Sequence, residues 1–154
     1  MQGLCEVTSR CGIAVLGVVW VVLSSCSPAE NPNQTCDDGR RAALRGDTIE
    51  AIGVWERKAL DATPKEKLRA VLTCLRDSGL ATSDADAARW VVDVADKSHG
   101  RAALYAGMLF ASGAGLPADR SAARMYLEQA RSAAPDEASA MLRVLDTAEQ
   151  STSK

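Results

Sequence analysis

Residues 100–134 read GRAALYAGMLFASGAGLPADRSAARMYLEQARSAA, and this stretch sets the fold class. It has the pattern of two short helices around a glycine-rich turn. Ala102, Ala103, Ala106, Gly107 and Phe110 share the apolar side of the first helix. Gly113 and Gly115 supply the left-handed backbone conformations that end it. Pro117 and Asp119 open the second helix, with Asp119 as its N-cap. Ala122, Met125, Tyr126 and Ala130 recur along it at helical spacing. The small residues Ala106 and Gly107 let the two helices approach closely, and Phe110 and Tyr126 fill the remaining space. A hairpin this thin cannot bury its apolar face alone, so neighbours of the same kind are expected.

The sequence contains them. AIGVWERKA from Ala51, AARWVVDVA from Ala87 and AARMYLEQA from Ala122 begin 36 and 35 residues apart. Each starts and ends on Ala, and Trp55, Val91 and Tyr126 occupy one equivalent position. Asp84 and Asp119 each stand three residues before the first Ala, and Asp47 and Asp84 are read as starting the second helices of the first two copies. A helix-turn-helix unit of this period predicts an all-α fold, an α-solenoid of about three hairpins. Pro135 to Gln150 predicts one more helix. Asp136 and Glu137 suit its N-terminus, and Ala138, Met141, Leu142 and Leu145 form an apolar stripe. It is read as a cap over the exposed end of the third hairpin, with residues 151–154 frayed.

The third copy carries a family pattern. Ala106-Gly107, Phe110, Gly113-Ala114-Gly115-Leu116-Pro117, Asp119, Ala122 and Met125-Tyr126 resemble the Sel-1-like repeat, a relative of the tetratricopeptide repeat with a longer interhelical loop. The second copy, about Lys65 to His99, keeps the loop and second helix. It has Val71-Leu72 or Leu72-Thr73 where the family has Leu-Gly. The first copy, about Thr35 to Asp61, follows the pattern from Asp47 onward. The resemblance implies a scaffold or adaptor that binds proteins on the concave surface of its first helices, and implies no reaction. Carried onto those positions, it marks Arg69, Thr73, Arg76, Arg101, Met108 and Ser112 as candidate protein-binding residues. His99 falls at the family's polar turn position.

Within the second copy, Pro64 to Ser78 reads as a first helix with Leu68, Val71, Leu72 and Leu75 as its buried stripe. Lys65, Lys67, Arg69 and Arg76 lie on other faces. Its second helix turns Trp90, Val91, Val94 and Ala95 inward. In the first copy, Cys36 to Arg45 makes a short, polar first helix. Gly39 weakens it by about 1 kcal/mol relative to Ala, as suits a terminal repeat whose outer face meets water. Asp37-Asp38-Gly39 has no further ligands at metal-binding spacing, and His99 is the sole histidine. No metal, cofactor or catalytic residue is therefore expected.

The first 25 residues read as a leader. Cys11 to Leu23 is a 13-residue uncharged run behind Arg10, too short for a spanning helix, which needs about 20 residues. Leu23-Ser24-Ser25-Cys26 resembles a bacterial lipobox. That resemblance implies cleavage before Cys26, a diacylglycerol thioether on its thiol and acylation of its new amine. An anchor of several acyl chains holds firmly, at about 0.8 kcal/mol per buried CH₂. Ser27 is not the Asp that retains such lipoproteins at the inner membrane, so the outer membrane is favoured in a cell that has one. Residues 26–34 are the lipidated Cys and a tether. Ser27 to Gln34 contains two prolines and two asparagines, and its eight residues reach about 26 Å when extended. The repeat domain is assigned to 35–150.

Of five cysteines, Cys36 and Cys74 remain after the leader and the lipid site. Both follow Thr and both fall on first helices of adjacent repeats. They are either a disulfide stapling the weak first repeat to the second, or two free thiols with Cys74 in the core. Charge is nearly balanced, with 18 basic and 20 acidic residues, which argues against a nucleic-acid face. Aromatics make up 4% of the chain, so an Ala-rich core must rely on close helix packing.

The leading function is a protein-interaction module in the cell envelope, bound to the membrane through Cys26, with another envelope protein as partner and no small-molecule substrate. One alternative is an enzyme, because cysteine-rich secreted relatives of this family bind or hydrolyse β-lactams. The present chain has neither a Cys pair in every repeat nor a Ser-x-x-Lys motif. The other alternative is a purely structural lipoprotein.

Overall fold

The computed structural model describes residues 32–98 and 100–152. The leader, Cys26, the first part of the tether and His99 lie outside them. The described residues are helical, with no strand: α1 (Pro32–Leu44), α2 (Thr48–Glu56), α3 (Pro64–Asp77), α4 (Asp84–Ser98), α5 (Gly100–Ser112), α6 (Arg120–Ala130) and α7 (Pro135–Thr152). A single 3-10 turn, Arg57–Ala59, follows α2. None of these helices is long and apolar enough to cross a membrane. Two boundaries differ from expectation. α1 begins inside the predicted tether, with Pro32 at its first position, where the missing N–H costs nothing. α7 runs to Thr152, past the end assigned to the repeat domain.

Local chemistry explains where the helices start. Asp47 accepts from the Glu50 N–H at 3.0 Å, and Asp119 accepts from the Ala122 N–H at 3.0 Å. α3 opens on a capping box: Thr63 Oγ1 accepts from the Glu66 N–H, and Glu66 Oε2 accepts from the Thr63 N–H at 2.9 Å. Asp84 begins α4, as expected, and the residue before it, Ser83, caps the helix, its Oγ accepting from the Asp86 N–H at 3.1 Å. Asp84 is thereby free to pair with Arg76, Nη1 to Oδ1 2.7 Å.

Each helix packs on the next in sequence, and α1 also touches α3, α3 touches α5, and α5 touches α7. One continuous core runs through them. Trp55, Val91 and Tyr126 are all buried, on α2, α4 and α6. Trp55 tilts against Trp90 with centroids 5.5 Å apart, and Tyr126 stacks flat on Phe110 at 5.6 Å. The buried stripes are rotated from those expected. On α3 it is Leu68, Val71, Cys74 and Leu75, with Leu72 half-buried. On α6 it is Ala123, Tyr126, Leu127 and Ala130, while Met125 is 49% exposed. Trp90, Phe110 and Met141 border the core rather than fill it.

Two glycines explain the closest approaches. A Cβ on Gly107 would stand 2.7 Å from Leu127 Cγ, so α5 and α6 meet there without a side chain between them. Gly39, read from the sequence as a weak point of α1, has the same role two hairpins earlier. Its Cβ would overlap the Trp55 ring, 2.0 Å from Nε1. At Gly115, φ is +75° and a Cβ would lie 2.7 Å from the Asp84 carbonyl oxygen, so the α5–α6 loop sits directly on the start of α4.

Cys36 and Cys74 form a disulfide between α1 and α3, with Cα atoms 4.9 Å apart. Both residues are buried, and the Lys58 ammonium donates to Cys36 Sγ at 3.1 Å.

Candidate binding groove

α5 lies between α3 and α7, and the three helices enclose a groove of about 510 Å³. α5 supplies the floor through Met108, Ala111 and Ser112. Ser112 turns its hydroxyl proton back to the Met108 carbonyl at 2.8 Å, which leaves lone pairs as its remaining capacity. α3 forms one wall with Lys65, Leu68, Arg69 and Leu72. α7 forms the other with Met141, Val144, Leu145 and Ala148, and carries no charge on this wall. Ala114 and Arg120 close the end near the α5–α6 loop. A side recess of about 320 Å³ continues from Arg69 and Leu72 toward Thr73, Arg76 and Asp84.

The candidate residues divide accordingly. Arg69, Met108 and Ser112 line the groove, and Thr73 and Arg76 line the recess. Arg76 is matched by Asp84, so the far end of the recess is locally neutral. Arg101 lines neither the groove nor the recess. Its Nε donates to Glu56 Oε1 at 2.8 Å and its Nη2 reaches Glu137 Oε1 at 3.3 Å. Tyr105 donates its phenolic proton to the same Glu56 oxygen at 2.6 Å. The cluster ties α2, α5 and α7 together, and the Glu56 side chain is 14% exposed. Burial works against the Arg101 cation, but the hydrogen bond and charge of Glu56 outweigh it and hold its pKa above the ordinary arginine value. Burial, then the bond to Glu56, raises the Tyr105 phenol as well.

The α7 wall and Arg120 were missed by sequence reasoning. α7 was read as a lid over the last hairpin, so Met141 and Leu145 counted as core. Treating α7 instead as a further first helix in the α1–α3–α5 row would have placed Met141, Val144, Leu145 and Ala148 toward the groove by their spacing. Arg120 follows Asp119 in the loop signal itself, and periodicity says nothing about where that loop folds.

A second phenol reports on packing between hairpins. Tyr126 donates to Asp96 Oδ1 at 2.6 Å, and burial together with that bond pushes its pKa up to about 12. An unfolded tyrosine titrates near 10. The folded state therefore holds the proton more tightly. The resulting stability is complete below about pH 10 and is lost as pH rises toward about 12. Tyr126→Phe should be less stable than wild type at pH 7, by about 1 kcal/mol for the lost hydrogen bond. That gap should narrow between about pH 10 and 12, as urea midpoints across this range would show. A constant gap would mean that the phenol titrates normally.

No protein-family model matches the chain, and no curated protein or solved structure is significantly similar to it.

Proposed function

We propose that this chain is a lipid-anchored envelope protein whose Sel-1-like hairpins stack as a solenoid and bind another protein in the groove over α5. The groove carries this reading: it brings side chains from three non-consecutive helices around one apolar floor. The contacts of α1, α3, α5 and α7 in series support the stacked arrangement, and such stacking makes a shared concave surface from first helices. The 36- and 35-residue spacings and the family pattern of the third copy support the repeat assignment. The uncharged run before Leu23-Ser24-Ser25-Cys26 supports export and lipidation. In this reading the module contributes shape and charge, and performs no reaction.

In-cell photocrosslinking tests it. A photoreactive residue at Ala111, on the groove floor, should yield discrete protein adducts in the membrane fraction. The same residue at Arg89, exposed on α4 beside Asp86, should yield none. In the same cells Cys26→Ala should move the protein out of the membrane fraction. Absence of adducts at Ala111 would remove the binding role and leave a structural lipoprotein.

A further inference from the structure

The groove is chemically lopsided, and the asymmetry describes its occupant. Three cations, Lys65, Arg69 and Arg120, line it, and no carboxylate does. That is unexpected on a chain whose acidic residues outnumber its basic ones, at a net charge of −2. The side chains of Lys65 and Arg120 make no ion pair or hydrogen bond with any described residue. Arg69 shares the Glu66 carboxylate, which also accepts from the Thr63 N–H and hydroxyl at 2.9 and 2.8 Å. Lys65 and Arg69 are four residues apart, one turn of α3, so they line one rim together. The opposite wall, on α7, is uncharged and includes Val144, which is 59% exposed.

We propose that the groove takes an acidic amphipathic helix of another protein, an inference that rests on the protein-binding reading above. The shape suits a helix, since two helices flank a third and leave a trough above it. A helix laid there presents apolar anchors at i, i+3 or i+4 and i+7 to the floor and the α7 wall. Met108 and Met141 give that surface soft, adaptable contacts. The helix's carboxylates lie along the α3 side, against Lys65 and Arg69, with Arg120 at one end. Arg76 adds little, because Asp84 already neutralises it.

The test uses the full chain in detergent micelles and two labelled helical peptides of about 16 residues, long enough to hold a helix in a groove. Both carry the same leucine ridge, flanked by Glu in one and Lys in the other. The Glu peptide should bind about tenfold more tightly at low salt, and the preference should shrink at high salt. Arg69→Glu with Arg120→Glu should reverse the preference, and a gain of binding to the Lys peptide is a result no unfolded variant gives. Should that variant fail to fold, the comparison of the two peptides on the wild type decides alone. Equal affinity for the two peptides, or a preference for Lys, overturns the proposal. Binding of a fluorescent long-chain fatty acid with neither peptide bound also overturns it, in favour of a lipid anion. If adducts at Ala111 persist in cells while the peptides show no charge preference, protein binding stands and the acidic helix falls. If the adducts are absent, both fall.

Discussion

Cys36→Ala with Cys74→Ala should destabilise the fold by about 4 kcal/mol, because the bond closes a loop of 38 residues. At this chain length that corresponds to a drop in Tm on the order of 10–20 °C. The loss should be concentrated in α1. Its apolar contribution to the core is Cys36 and Ala42, with Ala43 packed at the edge. Such small side chains bury little area, so α1 depends on the bond to α3 and on the Trp55 ring. Hydrogen exchange should show α1 amides losing protection before those of α5 and α6. Peptide mapping without reductant should recover Cys36 and Cys74 in one linked fragment. A double variant within about 1 kcal/mol of wild type would show that α1 is held by packing alone.

Gly39→Ala should destabilise by about 2 kcal/mol, against the direction that helix propensity gives. In isolation the change favours α1 by about 1 kcal/mol. In the fold, the added methyl overlaps the Trp55 indole, 2.0 Å from Nε1 and 2.5 Å from Cδ1 and Cε2. Trp55 is fully buried and donates to the Cys36 carbonyl at 3.2 Å, so the ring cannot move without giving up that bond. Overpacking of about 1–3 kcal/mol and an unsatisfied buried N–H of about 1–3 kcal/mol together exceed the propensity gain. Gly53→Ala is the matched control. It lies within α2 with nothing inside 4 Å of its Cβ, so it should stabilise by up to about 1 kcal/mol. Urea denaturation of both variants separates the two effects. Two gains of similar size would show that Gly39 is tolerated in α1 rather than required by Trp55.

The α5–α6 hairpin was the most legible part of the molecule because every signal that makes it is short-range. Gly113 and Gly115 take positive φ, Asp119 caps α6, and Ala106 and Gly107 sit at the close crossing. The start of α1 was hidden for a related reason. Pro32-Asn33-Gln34 looks like linker by composition, although proline is well suited to a first helical turn. The buried stripes were legible to about one residue. A helix leaves two adjacent rows to choose between, and the neighbours decide whether Leu72 or Cys74, or Met125 or Leu127, turns inward. Gly39 was misjudged because the ring that needs its bare backbone lies 16 residues away on another helix.

The candidate site was half legible. Arg69, Met108 and Ser112 reach one groove because α3 and α5 present them to the same side. Arg101 shares their periodicity on α5, yet it is claimed by Glu56 and Glu137, which stand 45 and 36 residues from it.

The chain's own spacing, glycines and caps determine that it folds as successive helical hairpins, since those choices are made within a turn or two of backbone. Which helices become walls, which cations are left without an acid, and which cysteine meets which are decided only when distant helices pack. Those outcomes depend on contacts between residues far apart in sequence, to which local periodicity is blind.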